Sequence, residues 1–169
     1  MKLLFLGLLF LTLDIRLDVG SIAVNFLPEF IGYYLMYKGF LEMQEGCPRF
    51  RGIKPWVMGL GIYSGVLFAV DLLGIALGGD LIMWILRLLA TIARFYVTYT
   101  LARGMADLQA PGSEKLMTMW QYWAIFATVS HMVSWLPLVG MVALVAAGIL
   151  AIGFVVAFYK LWKAWEQEK

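Results

Sequence analysis

The stretch LVGMVALVAAGILAIGFVVAFY, residues 138–159, decides the fold class because it contains no charged residue. A helix of about 20 apolar residues crosses the ~30 Å hydrocarbon core of a bilayer. The whole chain shares this character: 63% of its 169 residues are hydrophobic, 14% are charged, and the mean hydropathy is +0.85. Soluble domains average about 45–50% apolar and about 25% charged residues. The sequence therefore predicts an all-α polytopic membrane helix bundle.

The composition also excludes several classes of protein. The 17 glycines follow no period, the chain has 1 Cys and 1 His, and its net charge is +2. These values exclude collagen-like, disulfide-rich and nucleic-acid-binding proteins. One Cys and one His cannot form a structural metal site or a C-x-x-C redox centre, and no G-x-S-x-G, H-E-x-x-H or P-loop motif occurs. We therefore expect no enzyme, no metal and no cofactor.

Apolar runs predict about six transmembrane helices in a single membrane domain, residues 1–169. The first two are short, and we expect them to form a hairpin. The segment DIRLDV between them, residues 14–19, alternates polar and apolar residues, which predicts an extended connector. Pro28, Pro55 and Pro137 are expected at first helical positions, where a missing N–H costs nothing. The predicted helices are 3–13, 27–41, 56–77, 81–101, 117–135 and 138–160.

Lysines and arginines concentrate on one side of the predicted bundle, and Arg16 is the only one in the connections on the other side. The positive-inside rule then predicts that the N and C termini are cytoplasmic. Segment 3–13 is also typical of a signal peptide, so it is either a helix of the bundle or a cleaved leader; the missing A-x-A pattern favours the helix. The basic residues on the inner side are Lys2, Lys38, Arg49, Arg51, Lys54, Arg103, Lys115, Lys160, Lys163 and Lys169.

Two charged residues flank the predicted turn between the third and fourth helices. Asp71 and Arg87 each lie eight residues from Gly79, so an antiparallel hairpin centred there would place them at one depth. A charge at the centre of a membrane helix costs about 2.5–3.5 kcal/mol on insertion scales. We therefore expect an Asp71–Arg87 ion pair, which either fixes the register of the two helices or lines a polar cavity.

The fourth helix carries a polar stripe. Arg87, Thr91, Arg94 and Thr98 are spaced i, i+4, i+7 and i+11, which places them on one face. We find no acid at the depth of Arg94 on the preceding helix. Three alternatives follow for Arg94: a residue from another helix pairs with it, it snorkels toward the inner side, or it binds an anionic ligand.

Two further residues complete a candidate binding pocket in the outer half of the bundle. His131, about 9 Å from the outer turn, is either an inter-helix hydrogen-bond donor or a proton relay. Glu29, in the first turn of its helix, is either a cap that complements the helix dipole or part of the pocket. The candidate pocket residues are Glu29, Asp71, Arg87, Thr91, Arg94, Thr98 and His131.

Small residues recur every four positions on two predicted helices. They are Gly61, Gly65 and Ala69 on the third, and Ala143, Ala147 and Ala151 on the sixth. This spacing lets helix backbones approach closely, so both faces are expected to pack against a neighbouring helix or a second copy of the chain.

The stretch NFLPEFIGY, residues 25–33, resembles an N-x-L-P-[DE]-F-I-G-Y element near the N-terminus of uncharacterised small multi-pass bacterial membrane proteins. Glu29 occupies the acidic position of that element, and the resemblance covers about the first third of the chain. It implies a location in the bacterial plasma membrane and assigns no activity.

Two functions fit these patterns. The chain either binds or transports a small solute through the outer pocket, or serves as a non-catalytic membrane partner, an assembly or regulatory subunit of a larger complex. An intramembrane enzyme ranks last, because no catalytic constellation is recognisable. The expected partners are the lipid bilayer and either a second copy or another membrane protein, with no nucleic acid.

Overall fold

The computed structural model describes residues 1–12, 16–19, 22–25, 28–73, 80–133 and 136–167. The fold is α-helical, with six helices and one small β-hairpin in this part of the chain. Its elements are α1 Lys2–Thr12, β1 Arg16–Val19, β2 Ile22–Asn25, α2 Glu29–Met43, α3 Pro48–Leu72, α4 Asp80–Asp107, α5 Ser113–Met132 and α6 Pro137–Gln167.

Three of these helices are long and apolar enough to cross a membrane: Pro48–Leu72, Leu81–Asp107 and Leu138–Gln167. Helix α1 is apolar but shorter. Helix α5 is not among the three candidate spans, since polar residues such as Glu114, Lys115 and Gln121 interrupt its apolar sequence. The membrane character predicted from the sequence is thus carried by α3, α4 and α6.

The predicted extended connector is an antiparallel hairpin. Strand β1 falls within the predicted segment, and it pairs with β2 in a register that runs from Arg16 opposite Asn25 to Val19 opposite Ile22. The second strand was not predicted, although its Ile-Ala-Val sequence has a β-branched residue on either side of the alanine. Strand β2 also packs against α3.

Pro55 does not begin a helix, which corrects the prediction made for it. Helix α3 starts at Pro48, and Pro55 lies in its interior. An internal proline removes one backbone hydrogen bond. The buried face of α3 nevertheless continues past it, since Phe50, Ile53 and Val57 are each no more than 1% exposed. Burial of this face offsets the lost bond and extends the helix toward its N-terminus.

The described residues form two compact units, Met1–Val97 and Thr98–Lys169. The first contains α1, β1, β2, α2, α3 and the part of α4 up to Val97. The second contains the rest of α4 with α5 and α6. In the second unit α5 packs on α6 through the stacked rings of Trp123 and Phe154, 5.8 Å apart.

Glycines hold the helices of the first unit close together. A methyl group on Gly7 of α1 would lie 2.5 Å from Met36 Cγ and 2.6 Å from the Gly32 carbonyl oxygen of α2. Gly39 meets Leu4 in the same way, at 2.6 Å. These distances are shorter than van der Waals contact, so a side chain at either glycine would push α1 and α2 apart.

The third helix approaches α2 through the small residues that recur on it. A methyl group on Gly61 would lie 3.4 Å from Tyr33 Cβ, and one on Gly65 would lie 3.7 Å from Phe30 Cβ. Phe30 also packs on Phe68, with ring centroids 5.5 Å apart. The small-residue face of α3 is therefore turned to a neighbouring helix of the same chain, α2.

We predict that Gly7→Ala destabilises the protein by about 1–3 kcal/mol, the usual cost of overpacking a well-packed contact. The matched control is Gly59→Ala in α3, where a methyl group would have nothing within 4 Å. There the better helix propensity of alanine should stabilise by up to about 1 kcal/mol. Unfolding in mixed detergent micelles measures both. Equal stability of the two variants would contradict the close α1–α2 packing.

Candidate functional site: an ion pair between α2 and α4

The candidate site is built on the first turn of α2. Pro28 precedes the helix in an extended conformation, φ −61° and ψ 124°, and no side chain caps the helix start. Glu29 is therefore in the first turn, where its carboxylate complements the positive end of the helix dipole. Tyr33 follows four residues later, so the two side chains lie on one face of α2.

Arg94 of α4 binds both of these side chains. Its Nη2 donates to Glu29 Oε1 at 2.5 Å, and its Nε donates to Tyr33 Oη at 3.2 Å. Hydrogen bonds between ionised groups are about twice as strong as neutral ones. We call these three residues the Glu29–Tyr33–Arg94 cluster.

The cluster lies within the length of α3 rather than beyond its end. Tyr33 is beside Gly61 and Phe30 beside Gly65, which places Glu29 about 10 Å short of the α3 C-terminus, at about 1.5 Å per residue. On α4, Tyr96 packs against Trp56 of α3 with ring centroids 5.4 Å apart. The charged cluster thus lies beside α3, a helix long enough to cross a bilayer.

The cluster is partly exposed to solvent. Tyr33 is 2% exposed, but the side chains of Arg94 and Glu29 are 32% and 25% exposed. Part of each of these two side chains is therefore exposed at the surface of the unit. Chemically, the arrangement offers a donor for an anionic group and an acceptor for a cationic one, side by side.

A buried hydroxyl on α3 has no hydrogen-bond partner among the described residues. Tyr63 Oη is buried and forms no hydrogen bond among the described residues. Tyr63 lies two helical turns after Trp56, so it is on the same face of α3, the face that packs against α4. A buried polar group without a partner costs about 1–3 kcal/mol.

Of the three alternatives for Arg94, the structure has the first: an acid from another helix, Glu29, pairs with it. Glu29 is correspondingly more than a cap for α2. Sequence reasoning placed both residues in the candidate pocket but did not connect them. It left Tyr33 out, although the four-residue spacing from Glu29 signals a shared face.

Asp71 and Arg87 do not form the expected ion pair, and that prediction was wrong. Both are exposed, and neither belongs to an ion pair within the described part of the chain. The register explains this. A hairpin centred on Gly79 would place Trp56 opposite residue 102, whereas it meets Tyr96. The observed partner of Trp56 is thus six residues (102 minus 96) away from the expected one. The same shift separates Asp71 from Arg87 by about 9 Å along the helix axes.

The remaining residues of the predicted pocket have other surroundings. Thr91 Oγ1 donates to the backbone oxygen of Arg87 at 2.9 Å. Thr98 belongs to the second unit, is 1% exposed, and accepts a hydrogen bond from Trp120 Nε1 at 2.9 Å. The side chain of His131 is outside the described part of the structure. Of the predicted pocket residues, the structure brings Glu29 and Arg94 together.

Within the described ranges no group of three His, Cys, Asp or Glu residues could hold a metal ion. Comparisons of the chain with protein families, with curated proteins and with solved structures found no match. The cluster must therefore be interpreted from its own chemistry.

We predict that Glu29→Gln or Arg94→Gln alone destabilises the protein by about 1–3 kcal/mol, because each leaves one partly buried charge without its partner. The double variant should be more stable than either single variant, since both charges are then gone. Unfolding free energies of the four proteins give the coupling energy directly.

The exposed pair Arg103–Asp107, 4.0 Å apart, is the matched control. Its neutralisation should change the stability by less than about 1 kcal/mol, as for other surface ion pairs. Additive effects of Glu29→Gln and Arg94→Gln would show that the two groups are not coupled.

Proposed function

We propose that this chain is a multi-pass protein of the bacterial plasma membrane that binds or transports a small polar solute at the Glu29–Tyr33–Arg94 cluster. The membrane location is supported by the three helices that are long and apolar enough to cross. The excess of basic residues in one set of connections favours cytoplasmic termini. The element at 25–33 favours a bacterial source by its resemblance alone.

The two short helices fit this proposal as further membrane segments. Helix α1 and strand β1 have 11 and 4 residues, and α2 and β2 have 15 and 4. Their lengths sum to about 30 Å and about 35 Å, at about 1.5 Å per helical and about 3.3 Å per strand residue. Non-helical backbone at membrane depth is tolerated only where protein covers it. The packing of β2 on α3 is consistent with that requirement. We propose about six membrane segments on this basis.

The observation that carries the binding proposal is a partly exposed charged cluster. The hydroxyl of Tyr63, for which the described residues supply no partner, is a second feature of the same unit. Arg94 and Glu29 keep 32% and 25% of their side chains exposed. Tyr63 Oη, on the α4-facing side of α3, forms no hydrogen bond with the described residues. Both features suit a small polar ligand that hydrogen-bonds to these side chains.

The charges of the cluster indicate the class of solute. A purely anionic solute would compete with Glu29 for Arg94 and leave that carboxylate uncompensated. A purely cationic solute would do the reverse. A small zwitterion satisfies both groups at once, because its carboxylate binds the guanidinium and its ammonium binds the carboxylate. We therefore propose a zwitterionic solute of the amino-acid type.

We predict that at least one standard amino acid raises the melting temperature of the detergent-purified protein. Its amide, which is only cationic, and its N-acetyl form, which is only anionic, should not. A ligand present at about 100 times its Kd stabilises the folded state by about 2.7 kcal/mol. Thermal unfolding monitored by intrinsic fluorescence measures the shift across the panel.

Tyr63→Phe separates binding from folding in the same assay. It removes a hydroxyl without a partner, so the ligand-free protein should be as stable as wild type or more stable, while the ligand-induced shift decreases. Tyr122→Phe, at a tyrosine that is 50% exposed, is the control and should change neither quantity. The proposal fails if no amino acid shifts the melting temperature, or if the shift survives in Tyr63→Phe and in Glu29→Gln/Arg94→Gln.

A second candidate, a non-catalytic membrane partner, is favoured by the first half of α4. Six consecutive residues, 84–89, are all exposed, so this part of the helix is exposed around its whole circumference. Arg87 lies among them. A membrane helix with a carboxylate facing Arg87 would supply both apolar cover and a counter-charge. Arg87→Gln should leave solute binding unchanged under the first proposal and weaken assembly with such a partner under the second.

A further inference from the structure

A groove of about 270 Å³ lies in the second unit, between the start of α5 and the last turns of α6. Ala157, Leu161 and Ala164 of α6 form an apolar wall. Two lysines also line the groove, Lys115 from α5 and Lys160 from α6. The groove therefore combines an apolar surface with two positive charges from different helices.

Within residues 98–167, these two lysines are the cations that form no ion pair. Of the cations that the structure describes in residues 98–167, Arg103 lies 4.0 Å from Asp107 and Lys163 lies 3.5 Å from Glu166. Lys115 and Lys160 form no ion pair and no hydrogen bond within the described residues. Two like charges on neighbouring helices repel each other, so an anion between them would be stabilised from both sides.

An exposed apolar face of α6, which we call the α6 lane, extends from the groove toward the start of the helix. Val156, Ile149 and Val142 precede Lys160 by four, eleven and eighteen residues, so all four residues share one face of the helix. These three side chains are 45%, 65% and 70% exposed. The face is thus charged at the groove and apolar for several turns toward the start of α6. An amphiphile with an anionic head matches this pattern along its whole length.

We propose that the groove binds an anionic phospholipid, with its phosphodiester between Lys115 and Lys160 and an acyl chain along the α6 lane. Basic side chains that flank membrane helices on the cytoplasmic side are known to attract anionic headgroups. Soluble phosphate shares the headgroup chemistry but makes no use of the apolar lane. The inference rests on the membrane location proposed above and is independent of solute binding.

The test measures lipid binding to the full chain in detergent. Phosphatidylglycerol, phosphatidylcholine with the same acyl chains and inorganic phosphate are titrated separately, and bound lipid is counted by native mass spectrometry. Lys115→Gln/Lys160→Gln is compared with Arg103→Gln/Lys163→Gln, which removes two charges from the same unit but outside the groove. Lys115→Arg/Lys160→Arg keeps the charges.

Wild type should bind phosphatidylglycerol more tightly than phosphatidylcholine. The Lys115→Gln/Lys160→Gln variant should bind it about 30-fold more weakly, because each basic residue near the membrane surface contributes about a factor of five. The control double variant and the arginine variant should bind as wild type does. Lys160→Gln alone, a change at an exposed position, should weaken binding about 5-fold and serves if the double variant does not fold.

Equal affinity for the two lipids would overturn the proposal, and so would equal losses in the two glutamine double variants. Displacement of phosphatidylglycerol by inorganic phosphate would assign the groove to a soluble phosphate instead. If the chain is monodisperse without detergent, the membrane location itself is wrong. A failed amino-acid panel would leave the lipid result unaffected, so the two proposals fail separately.

Discussion

The charge of Arg94 is the constraint on which the first unit depends. A guanidinium within a membrane-crossing helix costs about 2.5–3.5 kcal/mol even on the mildest scales, and hydrocarbon supplies no counter-ion. Glu29 neutralises that charge, and Tyr33 accepts a second hydrogen bond from it. Because Glu29 must reach Arg94, α2 has to begin inside the length of α3.

Glycines keep Glu29 at that position. Gly7, Gly32 and Gly39 bring α1 and α2 into direct backbone contact, and Gly61 and Gly65 let α3 approach from the other side. Because apolar side chains gain little from leaving lipid for protein, close packing between small residues is a main force that joins membrane helices. The contacts that join α1 to α2 and α2 to α3 thus also fix the position of the Glu29 carboxylate along α3. A substitution that disturbs the packing of α1, α2 and α3 would therefore also disturb the pairing of Glu29 with Arg94.

The sequence predicted the helices better than their contacts. Apolar runs gave six helices close to their observed positions, and the polar alternation in 14–19 gave an extended segment where β1 lies. The Asp71–Arg87 pair failed because it assumed a turn centred on Gly79, while aromatic packing between Trp56 and Tyr96 sets a different register. The Glu29–Arg94 pair joins residues 65 positions apart. No local pattern encodes such a contact, since it arises only when α2, α3 and α4 are placed together.

The most direct measurement of this account is a solid-state NMR distance between the Arg94 guanidinium and the Glu29 carboxylate in lipid bilayers. Arginine is labelled with ¹⁵N and the carboxyl carbon of glutamate with ¹³C, and Glu29→Gln identifies the signal. The account predicts a strong dipolar coupling that disappears in Glu29→Gln, as for directly hydrogen-bonded groups. A bilayer spectrum without that coupling, or one that Glu29→Gln leaves unchanged, would contradict it.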